Sequence, residues 1–309
     1  MRVLIVCRYK EALVGHAAPF VIEQMQALQE ANVECRLFLL KGNGIRGYLM
    51  QWKPLKRAIA DFHPDVVHAH YGLCGLLANM QRKVPVVTTY HGSDINDSKV
   101  LPLSKLSMRR SAWNIFVSRQ SVAKAKPKNR FSLLPCGVDI TALQLTGRLE
   151  ARQRLGLDPN KRYVLFAGGF DNAVKDPSLA KQVFAMLGDR DAELLELKGY
   201  SREEVTLLMC ASNCLLMTSV TEGSPQVIKE ALACGCPIVS VDVGDVKERI
   251  KDVEGCFVSE TRNPEALLRL LVDAMAFDGK TKGRVKVMSD GLSNEDIVNK
   301  LIKIYEYLK

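Results

Sequence analysis

Two carboxylates, Glu222 and Glu230, stand in the run Cys214–Asp242, CLLMTSVTEGSPQVIKEALACGCPIVSVD, at a spacing that could do chemistry. Ser224-Pro225 predicts a helix start: serine can accept a hydrogen bond from an orphan backbone N–H, and proline has no N–H to leave unsatisfied. The helix is expected over Gln226–Ala233, stopped by Gly235 with Pro237 just beyond. Helical side chains tilt toward the N-terminus, so Glu230, stacked behind Gln226, would lean toward the turn that carries Glu222. Free N–H groups and the positive end of the helix dipole face the same spot, a natural seat for phosphate. A phosphate seat flanked by two hydroxyl-accepting carboxylates has the outline of a nucleotide sugar, with diphosphate in the middle, ribose on one side and sugar on the other. The plainer alternative is a pair of solvated glutamates at a helix start, where anions are mildly favoured.

Apolar runs on either side, Leu215–Thr218 and Ile238–Val241, make this a strand–helix–strand unit of a parallel sheet. The residues Glu222-Gly223-Ser224-Pro225-Gln226-Val227-Ile228-Lys229-Glu230, continuing to Gly235, resemble the E-x7-E signature of the retaining glycosyltransferases of glycosyltransferase family four. Pro237-Ile238-Val239 and Val243-Gly244-Asp245 resemble the same family. The resemblance covers nearly the whole chain and is most specific from Glu222 to Asp245. It implies an α/β chain of the GT-B kind, two Rossmann-like domains with parallel sheets facing across a cleft. It further implies transfer of a sugar from a UDP- or GDP-linked donor to a saccharide or lipid-linked acceptor with retention of configuration, as in cell-surface polysaccharide or glycolipid synthesis. No metal and no cofactor beyond the substrate nucleotide sugar is expected, and Gly223 through Val227 would line the donor.

Other positions take roles from their place and from the resemblance. His91-Gly92-Ser93-Asp94 follows the predicted strand Val84–Tyr90 directly, and open parallel sheets bind ligands outside the carboxyl ends of their strands. His91 is therefore better placed for chemistry than His68 or His70, with a structural hydrogen-bonding histidine as the plainer alternative, and it resembles the family's active-site histidine, which touches the transferred sugar. Asp176-Pro177 predicts another helix start, with Lys175 beside it; a cation there can neutralise a diphosphate leaving group. Gly168 and Gly169 permit close backbone approach. The family usually places an Arg where Gly169-Phe170 stands, so the phosphate site would carry one cation fewer or borrow one from elsewhere. By resemblance, Gly199 and Tyr200 meet the nucleotide base, and the loop at Gly15 approaches the donor phosphates or the acceptor, with a single glycine where the family has a pair. Pro135-Cys136-Gly137-Val138-Asp139 resembles the turn that closes the family's first domain, with Cys136 in place of the usual Asn.

Composition sets the frame for these motifs. The chain has 309 residues, enough for two α/β domains, and is 47% hydrophobic with no low-complexity tract. No apolar run reaches the roughly 18 residues that cross a bilayer, and Val3–Cys7 reads as a first strand rather than a signal-peptide core, so a cytoplasmic protein is expected. Its nine cysteines are odd in number, mostly in apolar runs, and lack the paired spacing of a zinc site. Net charge is +9, with basic residues bunched at Lys53, Lys56 and Arg57, at Arg109 and Arg110, and from Lys124 to Arg130. No interleaved aromatics or recognition motif accompany them, which argues against nucleic acid. Peripheral attachment to an anionic membrane, at its inner face, and a plain solvated surface both remain open.

To hold these loops, the chain should alternate strands and helices. Strands are expected at Arg2–Cys7, Val33–Leu40, Asp65–His70, Val84–Tyr90, Trp113–Ser118 and Phe131–Leu134. After a polar connection they restart at Tyr163–Ala167, followed by Ala192–Leu197 and Gly255–Val258 around the central unit. His68 and His70 share one strand face; with no third ligand in a defined place, strand-end packing is the better reading than metal. Ser201-x-x-Glu204 is a capping box. Domains are expected at 1–147 (acceptor side) and 148–293 (nucleotide-sugar side), with 294–309 a helix crossing back to the first. Rival readings are a catalytically silent nucleotide-sugar-binding protein and a sugar-nucleotide epimerase. A phosphorylase would need a pyridoxal-phosphate lysine that is not identifiable, and a dinucleotide oxidoreductase lacks its G-x-G-x-x-G after the first strand.

Overall fold

The computed structural model describes residues 1–11, 14–42 and 44–309. The chain divides into two compact units, one of Met1–Gly137 with Leu292–Lys309 and one of Val138–Gly291. The first is built on six parallel strands: β1 (Arg2–Arg8), β2 (Glu34–Leu40), β3 (Val66–His70), β4 (Val86–Tyr90), β5 (Trp113–Phe116) and β6 (Phe131–Leu133). They lie in the order β2-β1-β3-β4-β5-β6.

Strand β1 explains why this unit needs helices on both faces. Its side chains alternate by period two, and both sets are apolar. Val3, Ile5 and Cys7 pack with Val21 and Leu28 of the helix Pro19–Glu30 and with Ile297, Leu301 and Tyr305 of the final helix, Asn294–Leu308. Leu4 and Val6 pack the other way, with Leu55 and Phe62 of the helix Trp52–Phe62 and Cys74 and Leu77 of the helix Gly72–Ala78. A buried Leu or Ile contributes about 1.5–3 kcal/mol, so the apolar face of the final helix suffices to hold the end of the chain on the first unit.

The second unit carries five parallel strands, β7 (Arg162–Phe166), β8 (Ala192–Glu196), β9 (Cys214–Met217), β10 (Ile238–Val241) and β11 (Cys256–Ser259). Their order is β11-β10-β9-β7-β8. Both units are thus Rossmann-like, and each has a point where the strand order reverses, between β1 and β3 and between β7 and β9. Ligands bind beyond the carboxyl ends of strands at such points.

The division between units falls ten residues before the expected 147. Beyond Gly137 the backbone engages the second unit, where Arg284 Nη2 donates to the carbonyl of Ile140 at 2.8 Å. The helix Arg148–Leu155 is likewise fixed there by Arg152, buried and donating to Ala211 O and Asn213 Oδ1. Helices Gly44–Met50 and Gly283–Ser289 are not predicted from the sequence, because glycine, at about 1 kcal/mol against alanine, weakens the helical signal at their starts. All nine cysteines are free thiols. Among the described residues no helix is long and apolar enough to cross a membrane.

Candidate active site

At the reversal point of the second unit, the loops after β7 and β9 meet. The loop after β7 carries Gly168, Gly169 and a single helical turn, Ala173–Lys175. Asp176 then caps the helix Pro177–Leu187, its carboxylate accepting from Leu179 N at 3.2 Å. From the loop after β9, Glu222 reaches back, and Lys175 Nζ lies 2.7 Å from Glu222 Oε1 with both side chains largely buried. Thr218 ties the loops together by donating to the carbonyls of Lys175 and Asp176 at 2.9 and 2.8 Å. Arg262 adds a second tie, to the Thr218 and Ser219 carbonyls and the Asp176 carboxylate. Close packing confirms why glycine stands at 168: a Cβ there would lie 2.7 Å from Lys175 Cγ.

The helix Gln226–Ala233 starts where expected, but Ser224 does not cap it. Pro225 occupies the N-cap position in extended conformation, with no side-chain cap. The Ser224 hydroxyl instead donates to Asp245 Oδ2 at 2.8 Å, and Arg249 Nε binds the same oxygen at 2.8 Å. Gly244, at φ +63°, presses on this turn so closely that a Cβ would stand 2.7 Å from the Gly223 carbonyl oxygen. The turn from Glu222 to Pro225 is therefore fixed from behind by the Val243–Asp245 loop, and Pro225 itself provides no side-chain cap.

Glu230 is 5% exposed, and Arg202 Nη2 lies 2.9 Å from its Oε1, so it is ion-paired. Arg202 opens the helix Arg202–Ala211 behind the Ser201/Glu204 capping box, which forms as predicted. Sequence reasoning singled out the box and passed over the arginine inside it. At the end of β8, Lys198 pairs with Asp171 at 2.7 Å, Gly199 has φ +83° with open space around its Cβ position, and Tyr200 is exposed. Gln226 and Val227 are half-buried in the first helical turn.

In the first unit, His91 follows β4 and is packed on three sides by rings. Centroids lie 4.7 Å from Phe20, 4.8 Å from Tyr71 and 5.2 Å from His70. Tyr71 holds its place at φ +74°, a left-handed backbone that costs a non-glycine residue on the order of 1–3 kcal/mol. His68 and His70 stack at 4.5 Å inside the sheet and are fully buried. Desolvation pushes His70 down to about 3 and His68 well below its ordinary value. His68 shares hydrogen bonds with Tyr305 Oη at 2.5 Å and Thr89 Oγ1 at 2.7 Å. Asp94 staples the loops together: Oδ1 accepts from His91 N and Gly92 N at 3.0 and 3.1 Å, and Oδ2 from Gly72 N at 2.9 Å. Burial raises Asp94 to about 6 despite these bonds. Gly15, at φ +68°, lies in the turn Val14–His16 after β1.

Known sequences match most of the chain that carries these residues. Residues 15–142 match the sequence model of Glycosyltransferase Family 4, and residues 149–276 match that of Glycosyl transferases group 1. The chain carries a Glycosyltransferase Family 4 domain followed by a Glycosyl transferases group 1 domain. A glycosyltransferase named for teichuronic acid biosynthesis in Bacillus subtilis is 28% identical over 215 residues, 60% of this chain and 55% of that protein. The chain thus spans little more than half the length of that curated relative. Among solved structures, a sucrose-phosphate synthase from Thermosynechococcus elongatus superposes with TM-score 0.80 at 18% identity, over 99% of this chain and 98% of that one. Anabaena Alr3699/HepE, solved in complex with UDP, gives TM-score 0.74 at 15% identity over 99% and 100% of the two chains. The fold is GT-B.

A cavity lies at the other end of the Gln226–Ala233 helix. It holds about 510 Å³ and is lined by Thr146, Cys234, Lys280 and Arg284 among others. Lys280 donates to Cys210 O and Arg284 to Ala233 O, so its cations serve the carbonyl ends of two helices.

Proposed function

We propose that this chain transfers a sugar, with retention and without a divalent metal, from a UDP- or GDP-linked donor to a saccharide or lipid-linked acceptor. The observation that carries the reading is the Lys175–Glu222 pair beside the N-terminus of the helix Gln226–Ala233. When a diphosphate arrives, Lys175 and the helix N–H groups are the donors aimed at it, and negative charge grows on it as the glycosidic bond breaks. Lys175 then exchanges a carboxylate for a phosphate, and Glu222 is released to accept from sugar hydroxyls. Glu230 holds the ribose hydroxyls in the same way. Arg202, drawn to Glu230, supplies the cation absent at Gly169-Phe170. His91 touches the transferred sugar, Gly199 and Tyr200 face the base, and Gly15 lies by the donor phosphates or the acceptor. The UDP complex of the HepE structure supports a uridine nucleotide as the first donor to try.

Incubation with a panel of UDP- and GDP-sugars in EDTA should give slow donor hydrolysis and faster transfer once acceptor is added. Nucleotide binding without turnover would instead identify a silent binding protein, and activity that vanishes in EDTA and returns with manganese would overturn the metal-independent mechanism.

The acceptor side of the reading rests on charge and on an apolar groove in the first unit. No Asp or Glu occurs from Lys41 to Ala60 or from Ser98 to Val138. Tyr48, Leu49, Leu76, Leu77, Met80 and Leu103 line the groove, with Leu49 52% and Met50 77% exposed beside it. Exposed Arg46, Arg82, Lys83 and Lys105 lie on or next to the same elements. Apolar side chains with exposed cations nearby suit an anionic lipid surface, each cation contributing about 1 kcal/mol. The protein should sediment with phosphatidylglycerol vesicles at low salt and release as salt rises. Absence of binding at low salt would remove the membrane from the proposal, and Leu49→Glu/Met50→Glu should weaken it.

A further inference from the structure

His70 has no part in the function so far, yet it is a fully buried titratable group in contact with His91. Its Nδ1 lies 3.0 Å from Nε2 of His91, and on the other edge of His91, Nδ1 lies 3.8 Å from Cys136 Sγ. The Nε2 atom of His70 is enclosed and meets no hydrogen-bond partner among the described residues. These three facts bear on where the protons sit.

A His70 ring this deeply buried is neutral, with its pKa pushed down to about 3 by desolvation, and carries one N–H. Were that proton on Nε2, a donor would be buried with nothing to receive it, an arrangement native proteins almost never keep. With the proton on Nδ1, the unpaired atom is a bare lone pair, which is better tolerated, and Nδ1–H points at His91. His91 Nε2 must then accept, so the proton of a neutral His91 sits on Nδ1.

We infer that His70 is a positioning residue: by donating from Nδ1 to His91 Nε2, it holds His91 in the Nδ1–H tautomer, with the donating edge toward Cys136. A hydrogen-bond partner on one ring nitrogen setting the state of the other is a general property of histidine. Here the partner is another imidazole, itself locked because its far nitrogen has nothing to bind. Stacking of His68 on His70, and the Tyr305 and Thr89 hydroxyls on His68, keep the inner ring from rotating. A thiol is a weak acceptor. A hydroxyl or phosphate oxygen of a bound donor would be a stronger acceptor for the Nδ1–H of His91. The inference rests on the proposed role of His91 only for this last step.

Long-range 1H–15N correlation spectra of the full chain at neutral pH separate the two neutral tautomers of each histidine, with His91→Gln assigning the signal. His91 is expected as Nδ1–H with an unprotonated Nε2, and His70 likewise as Nδ1–H. Finding His91 as Nε2–H would overturn the inference in the unmodified protein, whatever the variants do. His70→Phe keeps the ring and its stacking but removes the donor, so His91 should shift toward Nε2–H and kcat should fall roughly tenfold, the loss expected for one misdirected hydrogen bond. His70→Asn, whose amide N–H can occupy the place of Nδ1–H, should restore the tautomer; an unshifted His91 in His70→Phe would also refute the role. A tautomer that shifts without a change in kcat upholds the positioning role and removes His91 from the chemistry.

Discussion

Glu222→Gln is expected to lower kcat about ten- to a hundredfold with little change in donor KM, while Glu230→Gln is expected to raise donor KM by a similar factor. The size follows from a hydrogen bond to a charged group, on the order of 1.5–3 kcal/mol. The division of roles follows from position. Glu230 lies on the second turn of the helix, is 5% exposed and is held by Arg202 at 2.9 Å. The ribose hydroxyls it would accept from are unchanged as the glycosidic bond breaks, so its loss weakens ground and transition states alike. Glu222 stands on the turn itself, 2.7 Å from Lys175. Once Lys175 turns to the diphosphate, the freed carboxylate orients the sugar while positive charge grows at the anomeric carbon, an interaction realised mainly in the transition state. Gln keeps the shape and removes the charge in each case. Initial rates at saturating acceptor with donor varied make the comparison. A Glu230→Gln enzyme with reduced kcat and unchanged donor KM would show that the roles are assigned the wrong way round.

What the sequence revealed of this site was what local patterns encode. The helix Gln226–Ala233 and its stop are written in Pro225, Gly235 and Pro237. Asp176 caps its helix through a residue three positions on, and Ser201 and Glu204 satisfy each other within one turn. Ser224 has the same local signature and a different fate, because Asp245, far along the chain, presents a buried carboxylate already held by Arg249. Propensity at a cap is worth about 1 kcal/mol, and a charge-assisted hydrogen bond to a buried group outweighs it. Arg202 was invisible for a related reason: an arginine after a capping serine reads as a solvated charge until Glu230 is brought to it. The two histidines of β3 were read correctly as packing groups, but their link to His91 depends on β3 and β4 being neighbours in register, which pairs His70 with Thr89. Asp94 shows the limit most clearly. Its position in His91-Gly92-Ser93-Asp94 was noted, whereas its hold on Gly72 required the two loops to be side by side.

Because three buried ionisable groups meet around that staple, the first unit is expected to lose stability in mild acid with a slope that individual substitutions can dissect. His68 and His70 have folded-state values pushed well below the ordinary 6.5, the latter to about 3. Each therefore contributes stability that is complete above pH 6.5 and is lost as pH falls toward its folded value, since the unfolded chain takes up the proton first. Asp94 works in the opposite direction. Raised from 3.8 to about 6, it is protonated in the folded state before the unfolded one, so its contribution is complete below pH 3.8 and is lost as pH rises through 6. Just below pH 6.5 two histidine protons favour unfolding. Between about 6 and 4 the Asp94 proton cancels one of them, leaving a net slope of about 1.4 kcal/mol per pH unit. His70→Phe should flatten that interval, because His68 and Asp94 then balance. Asp94→Asn should steepen it to about twice the wild-type slope. It should also lower stability at neutral pH by about 1–3 kcal/mol, since an amide NH2 oriented to keep the His91 and Gly92 bonds would face the Gly72 N–H instead of accepting from it. Both tryptophans, Trp52 and Trp113, belong to the first unit, so urea unfolding followed by their fluorescence reads this unit without interference from the other. A wild-type stability that stays level from pH 6.5 to 4, or a slope that His70→Phe leaves untouched, would mean that these groups do not titrate as their burial demands.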